Sequence, residues 1–232
     1  MQDFWRDIKD ILWSPIKMAN RHESTSDNWL GPIMIVLLTA ALHIVMFLAM
    51  QARINDPVSS YLFNLNVPEE ILSAFDNFKA INSFLSLTGG VSVIPFWIVG
   101  AGVMTCWAIL LNGRENFRKV AILYGYAHMP LLIYAFIVIM LMSFWPPTAE
   151  INSAASSDLA SIASALEAYR DEILQTPTMK LVVVLSYAAQ LWSLALLAIC
   201  ASVVQRMTYV KSTLAASFYG AVILMVSLYF AR

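Results

Sequence analysis

Five stretches of this 232-residue chain, 31–50, 91–111, 120–145, 181–204 and 212–230, contain no Asp, Glu, Lys or Arg. Each approaches or exceeds the ~20 residues needed to cross about 30 Å of hydrocarbon. In lipid every backbone polar group must be paired within its own segment, so each stretch is expected to be a helix. The rest of the composition agrees. Hydrophobic residues make up 59% and charged residues 12%, against roughly 45–50% and 25% in soluble domains. Soluble enzymes and nucleic-acid binders are thereby excluded, and the expected fold is an all-α integral membrane protein with five transmembrane helices. Cys106 and Cys200 lie inside the apolar runs and read as packing residues.

Charge distribution predicts the orientation. Arg6, Lys9, Lys17, Arg21, Arg114, Arg118, Lys119, Arg206 and Lys211 fall on one side of five spans, and Arg53, Lys79, Arg170, Lys180 and Arg232 on the other. The basic side faces the cytoplasm. The amino terminus is therefore expected inside and the carboxyl terminus outside, in a bacterial inner membrane. Segment 1–28 has no apolar core followed by a small-residue cleavage site, so the first span is expected to stay as an anchor.

The domain organisation follows as a cytoplasmic interfacial segment, 1–28, and a five-span membrane domain, 29–232, with extracytoplasmic loops over 51–90 and 146–180. Phe4, Trp5, Ile8, Ile11, Leu12 and Ile16 recur on one face of the first segment, opposite Arg6, Asp7, Lys9 and Asp10. That pattern predicts an amphipathic helix ended by Pro15. It either lies in the headgroup layer, with Trp5 and Trp13 as anchors, or packs against the bundle. Each outer loop is expected to hold one amphipathic helix. Ile71, Phe75 and Phe78 form a stripe in the first, and Leu159, Ile162, Leu166 and Tyr169 step by three and four in the second. Phe75, Phe78, Leu159, Ile162, Leu166 and Tyr169 are thus the candidate outer surface, which either closes over the bundle or receives a partner.

Three polar side chains at membrane depth, His43, His128 and Gln190, are candidate functional residues by position. None has a carboxylate or second metal-type ligand at helical spacing, so bonding to a neighbouring hydroxyl or carbonyl competes with any contact to substrate. No catalytic residue, metal ligand or cofactor motif emerges: the pattern holds no zincin pair, no serine constellation and no phosphate-cradling loop. The chain is expected not to be an enzyme and to need no cofactor. Pro95 and Pro130 are expected to bend their helices.

Three segments resemble the Yip (Ypt/Rab-interacting protein) domain family of five-span membrane proteins, in its prokaryotic form. They are Ile11-Leu12-Trp13-Ser14-Pro15, Asp27-Asn28-Trp29-Leu30-Gly31-Pro32 before the first span, and Tyr124-Gly125-Tyr126-Ala127-His128-Met129-Pro130 in the third. The resemblance implies structural roles for Trp29, Gly31, Pro32, Tyr124, Gly125, Tyr126 and Pro130. This chain carries one extra residue between Trp29 and Gly31, a short amino-terminal segment and long outer loops. The Rab-linked function of the eukaryotic members is therefore not carried over.

The expected function is a non-enzymatic membrane scaffold or adaptor, membrane-organising or trafficking-related as the resemblance implies. The alternative is a passive conduit or lipid-moving protein with a groove near Pro130 and Gln190. Expected partners are the lipid bilayer and other membrane proteins or a second copy of the chain, with no nucleic acid.

Overall fold

The computed structural model describes all residues except 1, 25–27, 66, 146–150, 152–158 and 231–232, and the side chains at 2, 3, 24, 159, 223, 224 and 226–230 also lie outside the description. All regular structure among the described residues is helical. The elements are α1 (Gln2–Trp13), α2 (Pro15–Ser24), α3 (Leu30–Asn64), α4 (Glu69–Val91), α5 (Val93–Leu110), α6 (Phe117–Tyr126), α7 (Met129–Phe144), α8 (Leu159–Gln175), α9 (Pro177–Val204) and α10 (Tyr209–Phe230).

Four stretches are long and apolar enough to cross a membrane: Leu30–Asn64, Glu69–Leu110, Phe117–Phe144 and Pro177–Val204. This corrects the expected five among the described residues. The fifth expected crossing, 212–230, lies in α10, which is helical, but most of its side chains beyond position 222 fall outside the description. The protein is an all-α, multi-pass membrane protein. Leu37, Leu38, Val184 and Leu191 are exposed along α3 and α9, as lipid-facing positions must be.

Helix boundaries depart from the sequence expectation at three prolines. α3 does not stop near residue 50; it runs 35 residues with Pro57 inside it. The lost backbone bond is offset by burial of Val58 and Leu62 immediately beyond. Pro95 does not bend its helix. It occupies the first turn of α5, where its missing amide would have no partner within that helix, and the interruption falls at Ser92. Pro130 does interrupt its span, dividing it into α6 and α7 around Ala127-His128.

The chain divides into two compact units: Met1–Ala41, Val91–Ile133 and Tyr187–Arg232 form the first, and Leu42–Gly90 with Tyr134–Ser186 the second. In unit 1 the core gathers Ile11, Met18, Ile35, Trp97, Tyr126 and Tyr219. Its amino-terminal segment is two helices rather than one, because Pro15 opens α2 at the position where proline is best tolerated. Ile11, Met18 and Ala19 are completely buried, so this hairpin packs on the bundle rather than lying free in the headgroups.

Unit 2 is built on Met46, Leu62, Val138, Met142, Ile162 and Tyr169, with Ile71, Phe75 and Leu166 packed against them. The heptad-like stripe of α8 faces this core. Burial pushes the Tyr169 phenol above its ordinary value, and Glu172 adds to the shift.

Candidate functional site

The densest polar cluster in unit 1 starts from a carboxylate on an apolar face. Asp7 falls between Phe4 and Ile11 at helical spacing, so folding α1 onto the bundle buries it to 6% exposure. Burial without partners would be costly, and here three partners converge. Arg21 Nη2 lies 3.2 Å from Asp7 Oδ1, His22 Nε2 lies 3.2 Å from Oδ2, and the Tyr126 hydroxyl donates to Oδ2 at 3.1 Å. Arg21 also pairs with Asp10, itself buried. Burial pushes the Asp7 carboxyl up, but the bond and charge of His22, the Tyr126 hydroxyl and Arg21 outweigh it. The group is held below its ordinary 3.8.

The second layer of the site ties α2 to α6. Lys119 Nζ donates to the carbonyls of His22 and Glu23, the open carbonyl end of α2. Glu23 reaches Arg206 at 3.2 Å and Arg114 at 3.8 Å, exposed pairs that contribute little.

Beneath this cluster two backbone approaches lock α3 to α6. A Cβ at Gly31 would collide with the Tyr126 hydroxyl, and one at Gly125 would meet the Pro32 Cβ at 2.5 Å. Gly31-Pro32 and Gly125-Tyr126 therefore interdigitate, each glycine receiving the other segment's bulky residue. Trp29 packs edge-on against Trp97, with centroids 6.2 Å apart, and Trp97 Nε1 donates to the Ala121 carbonyl at 2.6 Å. Gly31 and Pro32 so meet Tyr126 although it lies 95 and 94 positions further along the chain.

The Yip1 domain model matches residues 9–231, which include both interlocking segments. The chain belongs to the Yip1 domain family. No curated protein and no solved structure matches it.

The remaining residues of the Yip1 motif region serve the interruption between α6 and α7. Tyr124 donates to Tyr219 at 2.8 Å, and Tyr219 donates onward to the Phe96 carbonyl at 2.8 Å. His128 is buried, with Nδ1 donating to the Tyr124 carbonyl at 2.8 Å. Ser193 donates to the Ala127 carbonyl at 2.7 Å, so a side chain from α9 satisfies backbone at the break. Pro130 is buried beside them.

Other sequence candidates lie elsewhere. Gln190 is exposed on α9. His43, in unit 2, stands between the rings of Phe47 and Tyr134, 6.3 and 6.2 Å away. The side chain of Leu159 lies outside the described residues. Ile162 and Tyr169 are buried, Phe75 and Leu166 half-buried, and Phe78 is 53% exposed. Phe75, Phe78, Leu166 and Ile173 line an open groove of about 780 Å³ whose polar edge holds Gln51 and Arg170.

Asp7, Asp10, Arg21 and His22 were not singled out by sequence reasoning, which placed both aspartates on the polar face. One signal was available. Asp7 stands three residues after Phe4 and four before Ile11, at the edge of the apolar stripe of α1, where an acid demands a partner.

Proposed function

We propose that this Yip1-domain protein is a non-enzymatic membrane scaffold or adaptor serving membrane organisation or trafficking. In this reading the amino terminus is cytoplasmic, α10 is the fifth crossing and the carboxyl terminus is extracytoplasmic, in a bacterial inner membrane. The partners are other membrane proteins or a second copy. One observation carries the reading: several buried polar side chains of unit 1 are spent on bonds between helices. The Tyr124–Tyr219–Phe96 chain, the Ser193–Ala127 bond and the donation of Gln205 Nε2 to the Met104 carbonyl at 3.1 Å all tie helices together. Donors so occupied hold a shape and are not displayed along a path.

A second reading, a lipid-moving protein, draws on the groove of unit 2, whose volume is within the roughly 300–1,000 Å³ range of ligand sites. Reconstitution separates the two. The scaffold reading expects transbilayer movement of labelled phospholipid equal to that of protein-free vesicles, together with discrete crosslinked adducts to membrane proteins in native membranes. Faster lipid movement in the reconstituted vesicles overturns it.

A further inference from the structure

The amino-terminal hairpin is electrically balanced in sequence but not in space. Folding turns Asp7 and Asp10 inward, where Arg21 and His22 take up their charge. Lys9 and Lys17 stay exposed, on the side that also carries Trp5 at 65%, Trp13 at 74% and Ile16 at 45% exposure. Trp5, Lys9 and Trp13 follow one another at four-residue intervals and so share one ridge of α1. Trp13, Ile16 and Lys17 then line one open notch of about 520 Å³ where α1 passes into α2. Two large indole rings left uncovered beside two lysines need an environment that is apolar at one level and anionic at the next. A membrane interface of acidic lipid supplies both.

The hairpin is also placed for such contact. Its buried side touches α6, at the start of the Phe117–Phe144 span, and Phe4 lies beside Gly31, at the start of the Leu30–Asn64 span. The outward ridge therefore lies at the end of two membrane-spanning helices rather than remote from the bilayer.

We propose that the outward face of the α1–α2 hairpin is a docking surface for anionic phospholipid, with Lys9 and Lys17 holding headgroups while Trp5, Trp13 and Ile16 enter the adjoining apolar layer. The inward-facing acids are integral to this surface: left outside, they would cancel the attraction. The inference is independent of the scaffold reading, since it concerns lipid selectivity and not partners.

The test uses the full chain in phosphatidylcholine vesicles containing phosphatidylglycerol, with bromine on the chains of one lipid or the other. The Trp5 and Trp13 signal is taken as the difference between the wild type and the Trp5→Phe/Trp13→Phe variant. Brominated phosphatidylglycerol is expected to quench that signal more strongly than brominated phosphatidylcholine at equal mole fraction. Lys9→Gln/Lys17→Gln is expected to lower this selectivity by up to roughly thirtyfold, as two lysines near an anionic surface should. Both lysines are exposed, so the variant should fold, and the wild-type comparison stands without it. Equal quenching by the two lipids, selectivity that survives loss of both lysines, or no quenching by either lipid would each overturn the proposal.

Discussion

Units 1 and 2 are both helical, yet they are held by different interactions. Unit 1 is tied by hydrogen bonds between distant helices: Trp97 to Ala121, Tyr124 to Tyr219, Ser193 to Ala127, Gln205 to Met104 and Lys211 to Leu111. In unit 2 the ties between helices come from long side chains, Gln51 to Asn82 and Ser86 and Arg53 to Ser143, while hydroxyls such as Ser59 and Ser83 return to their own helix, as Thr39 and Thr105 do in unit 1. The core of unit 2 is a cluster of large side chains from α3, α7, α8 and α9. Where the surroundings are apolar, burying a leucine gains little, and close packing with polar ties must join helices. The contrast teaches that one chain can join its helices through buried hydroxyl and indole donors in one region and through long, part-buried polar side chains around an apolar cluster in another.

The largest expected effect breaks the polar side of that contrast. Asp7→Ala leaves the buried His22 and Tyr126 hydroxyl without their carboxylate and Arg21 with Asp10 alone, and should cost about 3 kcal/mol, read as thermal unfolding in detergent. Rescue to near wild type by Asp7→Leu would show that filling the space, not the lost ionic bonds, governs unit 1. Ile162→Ala strikes the other side. It should cost on the order of 2–4 kcal/mol through the cavity it opens in unit 2, by the same measurement.

A pH series sharpens the comparison further. Because the native Asp7 carboxyl lies below its ordinary 3.8, its contribution is complete above that value and is lost as pH falls through the lower native one. Hairpin docking, followed by cysteine protection at Ile11→Cys, should therefore be constant from neutral pH down to 3.8 and fail below it. Unit 2, followed at Ile162→Cys, should not respond to the loss of Asp7. The smallest effect is expected for Phe78→Ala. That ring is mostly exposed, and its removal should change stability by about 0.5 kcal/mol or less.

Much of the scaffold was legible because hydrophobic runs and charge are local properties. Residues 31–50 and 181–204 fall within described crossings, 91–111 and 120–145 overrun theirs by one residue, and the buried stripe of Ile162 and Tyr169 was visible as three-and-four spacing. The candidate site was less legible. Tyr126 and Gly31 stood out through the family motif, but nothing in their spacing stated that one fills the space left by the other. Gln190 had the polarity of an interhelical tie and faces outward, while Ser193, three residues on, makes such a tie across to Ala127. Which face of an apolar helix turns inward cannot be read from hydropathy when both faces are apolar.

The sequence by itself determined that this chain is helical and membrane-embedded, since charge-free runs of this length have no other stable form in a bilayer. Tertiary structure alone decided where the few polar groups go. Asp7, Asp10, Arg21, His22 and Tyr126 form one cluster only after α1, α2 and α6 meet. The physical reason is range: backbone pairing and hydrophobic periodicity act over a few residues, whereas the partner of a buried charge or the occupant of a glycine's missing side chain comes from any part of the chain that packing brings close.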